Sequence, residues 1–501
     1  MSVLREAYNG YTPLQRRNIG GIMLYKLGIE FFNGSITTLA TDRFNSFQKL
    51  GVAQGINQAM QCIRLAPCSP AAIIVFALMT AILLILDAAT GGHLKKSAKD
   101  APSYGSWNPN LIFPIWAIAG VTYGMVELIR RVIPADICGG HVMRLRRMDA
   151  LVHVMYEISG TAGAFATSAA ISRFGNNYSF MLSPIFFTLA GLVWYFITPI
   201  PNIYPSRSTL SSVEKNQKKK GYLTDIAMGG YLFFRSIWIG AALIFTHRRF
   251  IWLFSSYAVA LYLHRALENM IDPTFAKRVL NNSAWSQIVV GGSNLGELLG
   301  ASTVFMLANT VPTPIPWLRL DAIMLNLVWT FPRYAQLSKG GVKYAWILAA
   351  TNLPISYGWA AGDVSLAAYI QSVLNQFRFD EPNISPLGAV MAFLYSSYIV
   401  MNAILSSFLG GVIDDDFTEH KNIYDSLRST GSIMFSTASV LIMVSTFIPR
   451  GSWALNPRSE RDLETPSDEN GIAQTAIRED STIKDSQEDI ELEPRSKLEG
   501  P

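Results

Sequence analysis

Carboxylate and amide side chains lie inside long apolar segments of this sequence, at similar positions in its two halves. Glu30 and Asn33 fall within one such segment, and Glu157, Glu297 and Asp363 fall within three others. A charge at the centre of a bilayer costs from about 2.5 to well over 10 kcal/mol, so it persists only where protein or water surrounds it. These residues are therefore candidates for binding a solute, an ion or a proton.

Two of these sites contain pairs of polar residues at helical spacing. Glu30 and Asn33 are three residues apart and share a helix face, so they either bind solute or proton or form a hydrogen bond that joins two helices. His153 and Glu157 are one turn apart, which fits a proton relay or a pair that only stabilises the helix. The sequence leaves both alternatives open for each pair.

A third group of polar residues, His264, Arg265 and Glu268, lies in the first apolar segment of the second half. One His and one Glu are too few ligands for a metal, and the adjacent Arg265 opposes a cation. Anion binding, a gate salt bridge or a structural interface fits this group better. Because the three cysteines are also scattered, we expect neither a metal nor a cofactor.

Glycines surround the two remaining carboxylates. Glu297 follows Asn294 by three residues among glycines that allow close helix contact, so its carboxylate faces either a helix interface or a cavity. Asp363 follows Gly358 and Gly362, which indicates either a broken helix exposing carbonyl groups to solute or a plain packing pair. The glycines near Glu297 are Gly291, Gly292, Gly296 and Gly300.

Composition places the chain in a membrane. Half of its 501 residues are hydrophobic and only 15% are charged, against about 25% charged residues in an ordinary soluble domain. The predicted fold class is all-α integral membrane, with twelve transmembrane helices in two six-helix pseudo-repeats. They lie near 21–40, 51–63, 71–88, 111–129, 148–170, 179–198, 250–267, 285–307, 317–331, 346–370, 386–411 and 430–448.

Charge and polarity divide the chain further. Residues 1–20 are predicted to be cytoplasmic, 21–198 and 250–448 to form the two bundles, and 199–249 to be a cytoplasmic linker. Within that linker, Met228–Thr246 is apolar enough to be either an interfacial helix or a thirteenth span. The remaining residues, 449–501, are expected to form a disordered acidic tail at a cytoplasmic C-terminus.

Expected positions can also be assigned to charged residues near the helix ends. Glu127, Arg130 and Arg131 are expected at the cytoplasmic mouth, where they form an intrahelical pair or a gate. The run Asp414-Asp415-Asp416 is expected to be a solvated loop. The chain lacks a basic patch interleaved with aromatic residues, which argues against a nucleic-acid partner. The expected environment is the lipid bilayer of a plasma, vacuolar or other organelle membrane.

The two halves repeat a polar pattern. Glu30 and Asn57 match Glu268 and Asn294 at offsets of 238 and 237, and Tyr123-Gly124 matches Tyr357-Gly358 at 234. Three matches near one offset indicate parallel repeats, which place a solute site between the halves. Asn57 and Asn294 would then donate and accept hydrogen bonds from a solute.

The region around the predicted fourth and fifth helices resembles the major facilitator superfamily (MFS). The sequence as a whole is similar to fungal members of this superfamily. The matching residues are Gly120, Gly124, Arg130-Arg131, Pro134-Ala135-Asp136, Arg144–Arg147 and Gly160–Gly163. The resemblance covers about 15–450. It implies a twelve-helix transporter that works by alternating access. The superfamily's acidic and basic signature after the second helix is absent, since residues 62–70 read Cys-Ile-Arg-Leu-Ala-Pro-Cys-Ser-Pro.

The sequence therefore predicts a monomeric transporter, not an enzyme, that moves a small organic solute and is coupled to an ion gradient, with the proton as a candidate coupling ion. No nucleotide-binding P-loop is present in the sequence, which argues against ATP-driven transport. Two alternatives are an MFS-like receptor or scaffold that does not transport, and an integral-membrane enzyme acting on lipid. The six dispersed histidines disfavour the enzyme.

Overall fold

The computed structural model describes residues 13–62, 69–97, 100–137, 142–196, 222–307, 310–311, 313–338, 340–374 and 384–457. The predicted cytoplasmic N-terminus up to residue 12, residues 199–221 of the predicted linker and the tail beyond residue 457 lie outside these ranges. So does most of the altered stretch after the second helix, at residues 63–68.

Thirteen helical segments make up nearly all of the described chain. Six belong to the first half, and six to the second half after an extra segment, α7. They are α1 (Pro13–Phe44), α2 (Phe47–Met60), α3 (Ser69–Ala89), α4 (Ile112–Ile137), α5 (Val142–Phe174), α6 (Ser179–Tyr195), α7 (Tyr222–Thr246), α8 (Arg248–Arg278), α9 (Ser283–Leu307), α10 (315–337), α11 (Val342–Leu374), α12 (Pro386–His420) and α13 (Tyr424–Ser445).

Five described segments are long and apolar enough to cross a bilayer, judged by length and composition: α8, α9, α12, α13 and Met228–Thr246 of α7. The count of twelve spans therefore stays a prediction. Apolar side chains also cover outward faces, as at Val400, Ile404 and Phe408, which recur every fourth residue on α12 and are 56–65% exposed. A lipid-facing stripe has this spacing, so these features are those of an integral membrane protein.

Segment α7 is a continuous helix that packs against α12, where Gly240 lies on the Ala389 carbonyl. Only 11% of the residues in the most apolar part of this helix are buried within the protein. Trp238 and Phe234 are 75% and 72% exposed. This helix is long and apolar enough to cross a bilayer. The placement of Met228–Thr246, either at the membrane interface or across the bilayer, stays a prediction.

The connection between α1 and α2 is tight because local residues suit it. Asn45 takes the left-handed conformation with φ 49°, which asparagine tolerates better than most residues. The Ser46 side chain then caps α2 by accepting a hydrogen bond from the Lys49 backbone N–H at 3.3 Å. The two helices therefore reverse direction within two residues.

Close helix contacts within each half depend on glycine. A Cβ on Gly120 or Gly124 of α4 would overlap backbone carbonyls at the C-terminal end of α2 and of its capping residue Gln61. In the second half the glycines lie on the other partner, since Gly292 and Gly296 of α9 pack on carbonyls of α11. The same kind of interface is thus built twice, with the small residues on opposite helices.

Two helix pairs form the largest contacts between the two halves. Helix α2 packs on α12, where Gly51 and Gly410 let the backbones approach. Helix α5 packs on α9, where Gly291 lies on the Phe165 ring. Exchange of the halves converts one pair into the other, as expected for the predicted parallel repeats.

Alanine at Gly292 should destabilise the protein because its Cβ would overlap the Ala349 carbonyl of α11. We expect a cost of about 1–3 kcal/mol, typical of overpacking, seen as a lower melting temperature of purified protein. Gly229→Ala is the matched control, since nothing lies within 4 Å of a Cβ there. An equal effect of the two changes would contradict the packing argument.

Candidate functional site

A buried ion pair marks the first-half side of the site. Lys26 Nζ lies 2.7 Å from Glu30 Oε1 on α1, with side-chain exposures of 11% and 9%. The same ammonium lies over the Tyr156 ring of α5, 4.5 Å from its centroid. Sequence reasoning singled out Glu30 and missed Lys26, although a lysine one turn before a carboxylate in an apolar helix was a usable signal.

Helices α1, α5 and α9 meet at Gly160. A Cβ there would lie 2.6 Å from Lys26 Cε, 3.2 Å from Glu157 Oε2 and 3.3 Å from Asn294 Nδ2. Glu157 and Asn294 are each only 2% exposed. Gly160 therefore brings polar groups of both halves together, and Glu157 and Asn294 belong to one site.

A second ion pair lies on the opposite side. Arg265 Nη1 donates to Glu268 Oε2 at 2.7 Å on α8, and these side chains are 38% and 20% exposed. Four groups act electrostatically on Arg265: Glu268, Glu297 of α9, Tyr398 of α12 and Tyr123 of α4. A partly exposed guanidinium among helices of both halves indicates an open space between them.

Glu297 connects the two ion pairs. Its carboxylate acts electrostatically on both Lys26 and Arg265, and Glu157 also acts on Lys26. Six side chains thus form what we call the central charge cluster, with two cations and four carboxylates. Its members are Lys26, Glu30, Glu157, Arg265, Glu268 and Glu297.

His264 points away from this cluster. Its Nε2 lies 2.9 Å from Asp321 Oδ1 of α10, and its ring stacks on Trp359 of α11 at 5.1 Å. The His264, Arg265 and Glu268 group identified in the sequence therefore divides, with only Arg265 and Glu268 paired. Asp321 is fully buried, and its distance from His264 in the sequence left no local signal.

Asp363 forms a polar chain in the second half. It accepts a hydrogen bond from the Tyr257 hydroxyl at 2.9 Å, and that hydroxyl lies 3.1 Å from the Tyr395 hydroxyl. Helix α11 continues through this region, while Gly358 and Gly362 pack on α10. The glycines thus match the packing alternative, and a broken helix is not observed.

The remaining predicted site residues lie on α1, α2, α4 and α5. Asn57 Nδ2 donates to the Trp116 carbonyl of α4 at 2.8 Å. Asn33 is exposed one turn after Glu30, and His153 lies on α5 one turn before Glu157. Glu127, Arg130 and Arg131 lie in α4, but their side chains are outside the described part of the chain.

A carboxylate at one end of the bundle ties the halves together. Asp42, near the end of α1, lies 2.5 Å from Lys277 Nζ of α8 and accepts from Ser283 Oγ at 2.9 Å. It also accepts from Asn176 Nδ2 of its own half at 2.8 Å and from the Tyr104 hydroxyl at 3.2 Å. We call this side of the molecule the Asp42 end.

Tyr104 lies in the loop before α4 and contributes a neutral donor to this network. Burial and the Asp42 carboxylate raise the pKa of the Tyr104 phenol well above its usual range. The hydroxyl therefore keeps its proton, which it also shares with Asn176 Oδ1 at 2.8 Å. No local spacing in the sequence indicates this network, because Asp42 is at least 62 residues from each of these partners.

Asp414 forms a second link at the Asp42 end. Instead of lying in a solvated loop, it belongs to α12, which continues to His420. Its Oδ2 accepts from Ser46 Oγ at 2.9 Å and from the Gln48 backbone N–H at 3.1 Å. A carboxylate near the first turn of α2 is favourable because helix N-termini carry partial positive charge, and Asp414 reaches this position because α12 stays helical beyond residue 411.

Helix α8 is irregular where it meets the first half. It contains a π-helical turn at Leu267–Ile271, followed by Pro273. Pro273 has no N–H, so the Asn269 carbonyl lacks the usual donor four residues further along the helix, and it accepts from Gln54 Nε2 of α2 at 2.7 Å. The irregularity thereby creates a contact between the halves.

Metal binding has no support in the described residues, where no group of three or more His, Cys, Asp or Glu side chains is arranged to hold an ion. The site described above is instead a set of ion pairs and aromatic rings between two helix bundles. Such a set can bind protons or a polar solute.

Comparison with solved structures identifies the fold. The nucleoside transporter NupG matches at 15% identity, over 87% of this chain and 99% of its own, with a TM-score of 0.51. A D-xylose-proton symporter matches at 12% identity, over 89% of this chain and 98% of its own, with a TM-score of 0.56. The peptide transporter POT in complex with sulfate matches at 12% identity, over 88% of this chain and 96% of its own, with a TM-score of 0.55. These are transporters with the MFS fold, which this chain shares.

No protein-family model matches the sequence, and no curated protein sequence is similar to it. The resemblance to fungal members therefore stays a prediction. The structural similarity establishes the fold of the chain. The central charge cluster and the Asp42 end are parts of that fold.

Replacing Lys26 by methionine should destabilise the protein because it leaves the buried Glu30 carboxylate without its counter-ion. Breaking one partner of a buried pair costs about 3–5 kcal/mol, so the melting temperature of purified protein should fall. Adding Glu30→Gln to Lys26→Met should recover stability, and Lys49→Met, at an exposed lysine, should have little effect. A single variant as stable as the wild type would contradict the assignment.

Asp42→Asn should loosen the Asp42 end because the charged link to Lys277 is lost. A reporter cysteine at Ser168, whose hydroxyl donates to the Ala284 carbonyl across the halves at 3.3 Å, should then react faster with a polar thiol reagent. The measurement uses protein without its three native cysteines. Asp100→Asn, at an exposed aspartate, is the control, and equal rates in both variants would argue against the link.

Proposed function

We propose that this protein is a proton-coupled transporter that moves a small organic solute across a membrane by alternating access. The single observation that carries the proposal is the central charge cluster. Lys26, Glu30 and Glu157 come from the first half, whereas Arg265, Glu268 and Glu297 come from the second. Groups held by both halves respond to any movement of one half against the other, as alternating access requires.

The open space next to Arg265 supports a solute site there. An arginine in the middle of a long apolar helix would be buried if no water reached it, yet the Arg265 side chain, although paired with Glu268, is 38% exposed. Tyr123 and Tyr398 act on it electrostatically from α4 and α12. Charged and aromatic groups of this kind fix the orientation of a polar organic solute.

The contacts at the Asp42 end support one conformation of the cycle. Lys277, Ser283 and Asp414 of the second half bind groups of the first half there. With the N-terminus in the cytoplasm, this end faces away from the cytoplasm and is closed. A solute in this conformation then exchanges with the cytoplasmic side, and opening requires the Asp42 and Asp414 contacts to break.

Glu297 is the side chain that we assign to proton coupling. When ionised it attracts Lys26 in one half and Arg265 in the other, and when protonated it loses both attractions. A proton at this position therefore changes the relative energies of the conformations, which is the thermodynamic condition for coupling. The similarity to a proton symporter is consistent with this assignment.

Glu297→Gln should abolish accumulation of solute driven by a proton gradient, while solute exchange without a gradient persists. The test uses purified protein in liposomes with a panel of nucleosides, sugars and short peptides, the solute classes of the structurally similar transporters. Ligands are found first by thermal shift at acidic and neutral pH. The glutamine keeps the size and polarity of the side chain but cannot carry the proton charge.

Glu419→Gln, at an exposed position near the end of α12, is the matched control and should transport like the wild type. If Glu297→Gln accumulated solute normally, the assignment to Glu297 would be wrong. If a solute stabilised the protein but no flux occurred in either direction, the chain would instead be a receptor with a transporter fold.

A further inference from the structure

A buried carboxylate outside the central charge cluster has an unusual environment. Asp272 of α8 is fully buried, and Asn352 of α11 is 1% exposed. Asn352 Nδ2 donates to Asp272 Oδ2 at 2.7 Å. The two remaining oxygens, Asp272 Oδ1 and Asn352 Oδ1, are also buried, and neither has a hydrogen-bond partner among the described residues.

The charge of Asp272 is not balanced by a neighbouring cation in the described part of the chain, where it forms no salt bridge. The charged group that acts on it is Glu268, one turn earlier on the same helix, which has the same sign. From α11 it meets only the neutral Asn352 amide. An ionised carboxylate here would lack both water and a counter-ion, which is very costly in a membrane interior.

One proton removes both difficulties. A proton on Asp272 Oδ1 can be donated to Asn352 Oδ1, while the Asn352 N–H is donated to Asp272 Oδ2. The carboxylic acid and the amide then form a closed pair with two hydrogen bonds, and no buried oxygen is left without a partner.

We propose that Asp272 binds a proton in this conformation and shares it with Asn352, as a second proton site separate from Glu297. The site lies next to Pro273, between the central charge cluster at Glu268 and the Asp42 end at Lys277. It fastens α8 to α11 within the second half. The fully buried pair has room for a proton, whereas a metal ion would require further oxygen ligands.

Infrared spectroscopy of the purified full-length protein tests the proposal. The wild type should show the carbonyl stretch of a protonated carboxylic acid, shifted by exchange into heavy water, and Asp272→Asn should lack this band. Asp100→Asn, at an exposed aspartate, should keep it. A wild-type spectrum without a band that depends on Asp272 would overturn the proposal.

Stability provides an independent measurement. Asp272→Asn should melt within about 3 °C of the wild type, because an amide pair reproduces both hydrogen bonds without a proton. Asn352→Leu retains the acid but removes its partner, so the carboxylic acid band should move to higher frequency. If sodium or another metal ion instead stabilised the wild type and not Asp272→Asn, Asp272 would be an ionised metal ligand and the proposal would be wrong.

Discussion

The structure depends on one constraint: charges placed among apolar helices must be neutralised by other charges, protons or water. Two ion pairs satisfy this constraint within single helices. They join Lys26 to Glu30, four residues apart, and Arg265 to Glu268, three residues apart. Such pairs need no partner from another helix, because both members lie on the same helix face. The remaining carboxylates, Glu157 and Glu297, depend on helices from elsewhere in the chain. Their ionisation is therefore tied to how the halves are arranged.

Close helix packing makes this arrangement possible. Gly160 brings Lys26, Glu157 and Asn294 around one point, since any side chain there would overlap the Lys26 stem. The contacts between the halves, such as Gly51 on the Ser406 carbonyl, use small residues in the same way. Interfaces of this kind hold helices by shape and weak backbone contacts more than by buried apolar area. They can separate without exposing large apolar surfaces, as alternating access requires.

Much of this organisation could be predicted from the sequence, and most of the missing parts have a common cause, Lys26 with its nearby partner Glu30 being the exception. Apolar runs located the helices, repeated offsets indicated the paired halves, and a carboxylate in an apolar run was enough to select Glu30, Glu157 and Glu297. The omissions, Asp42 and Asp321, have partners far along the chain, so no local spacing identifies them. Asp414 was assigned to a loop because three consecutive aspartates look solvated, whereas the N-terminus of α2 binds the first of them.

Helix α8 carries residues of the central charge cluster, of the Asp272–Asn352 pair and of the Asp42 end. Arg265 and Glu268 lie at the central charge cluster, Asp272 at its pair with Asn352, and Lys277 at the Asp42 end, in that order along the helix. Between them the regular hydrogen bonding is interrupted by the π-helical turn at Leu267–Ile271 and by Pro273. Interruptions of this kind are where helices bend. A charge change at Glu297, which acts on Arg265, would therefore alter the angle of the segment that carries Lys277. It would connect the proposed proton binding at the centre to closure at the Asp42 end through a single helix.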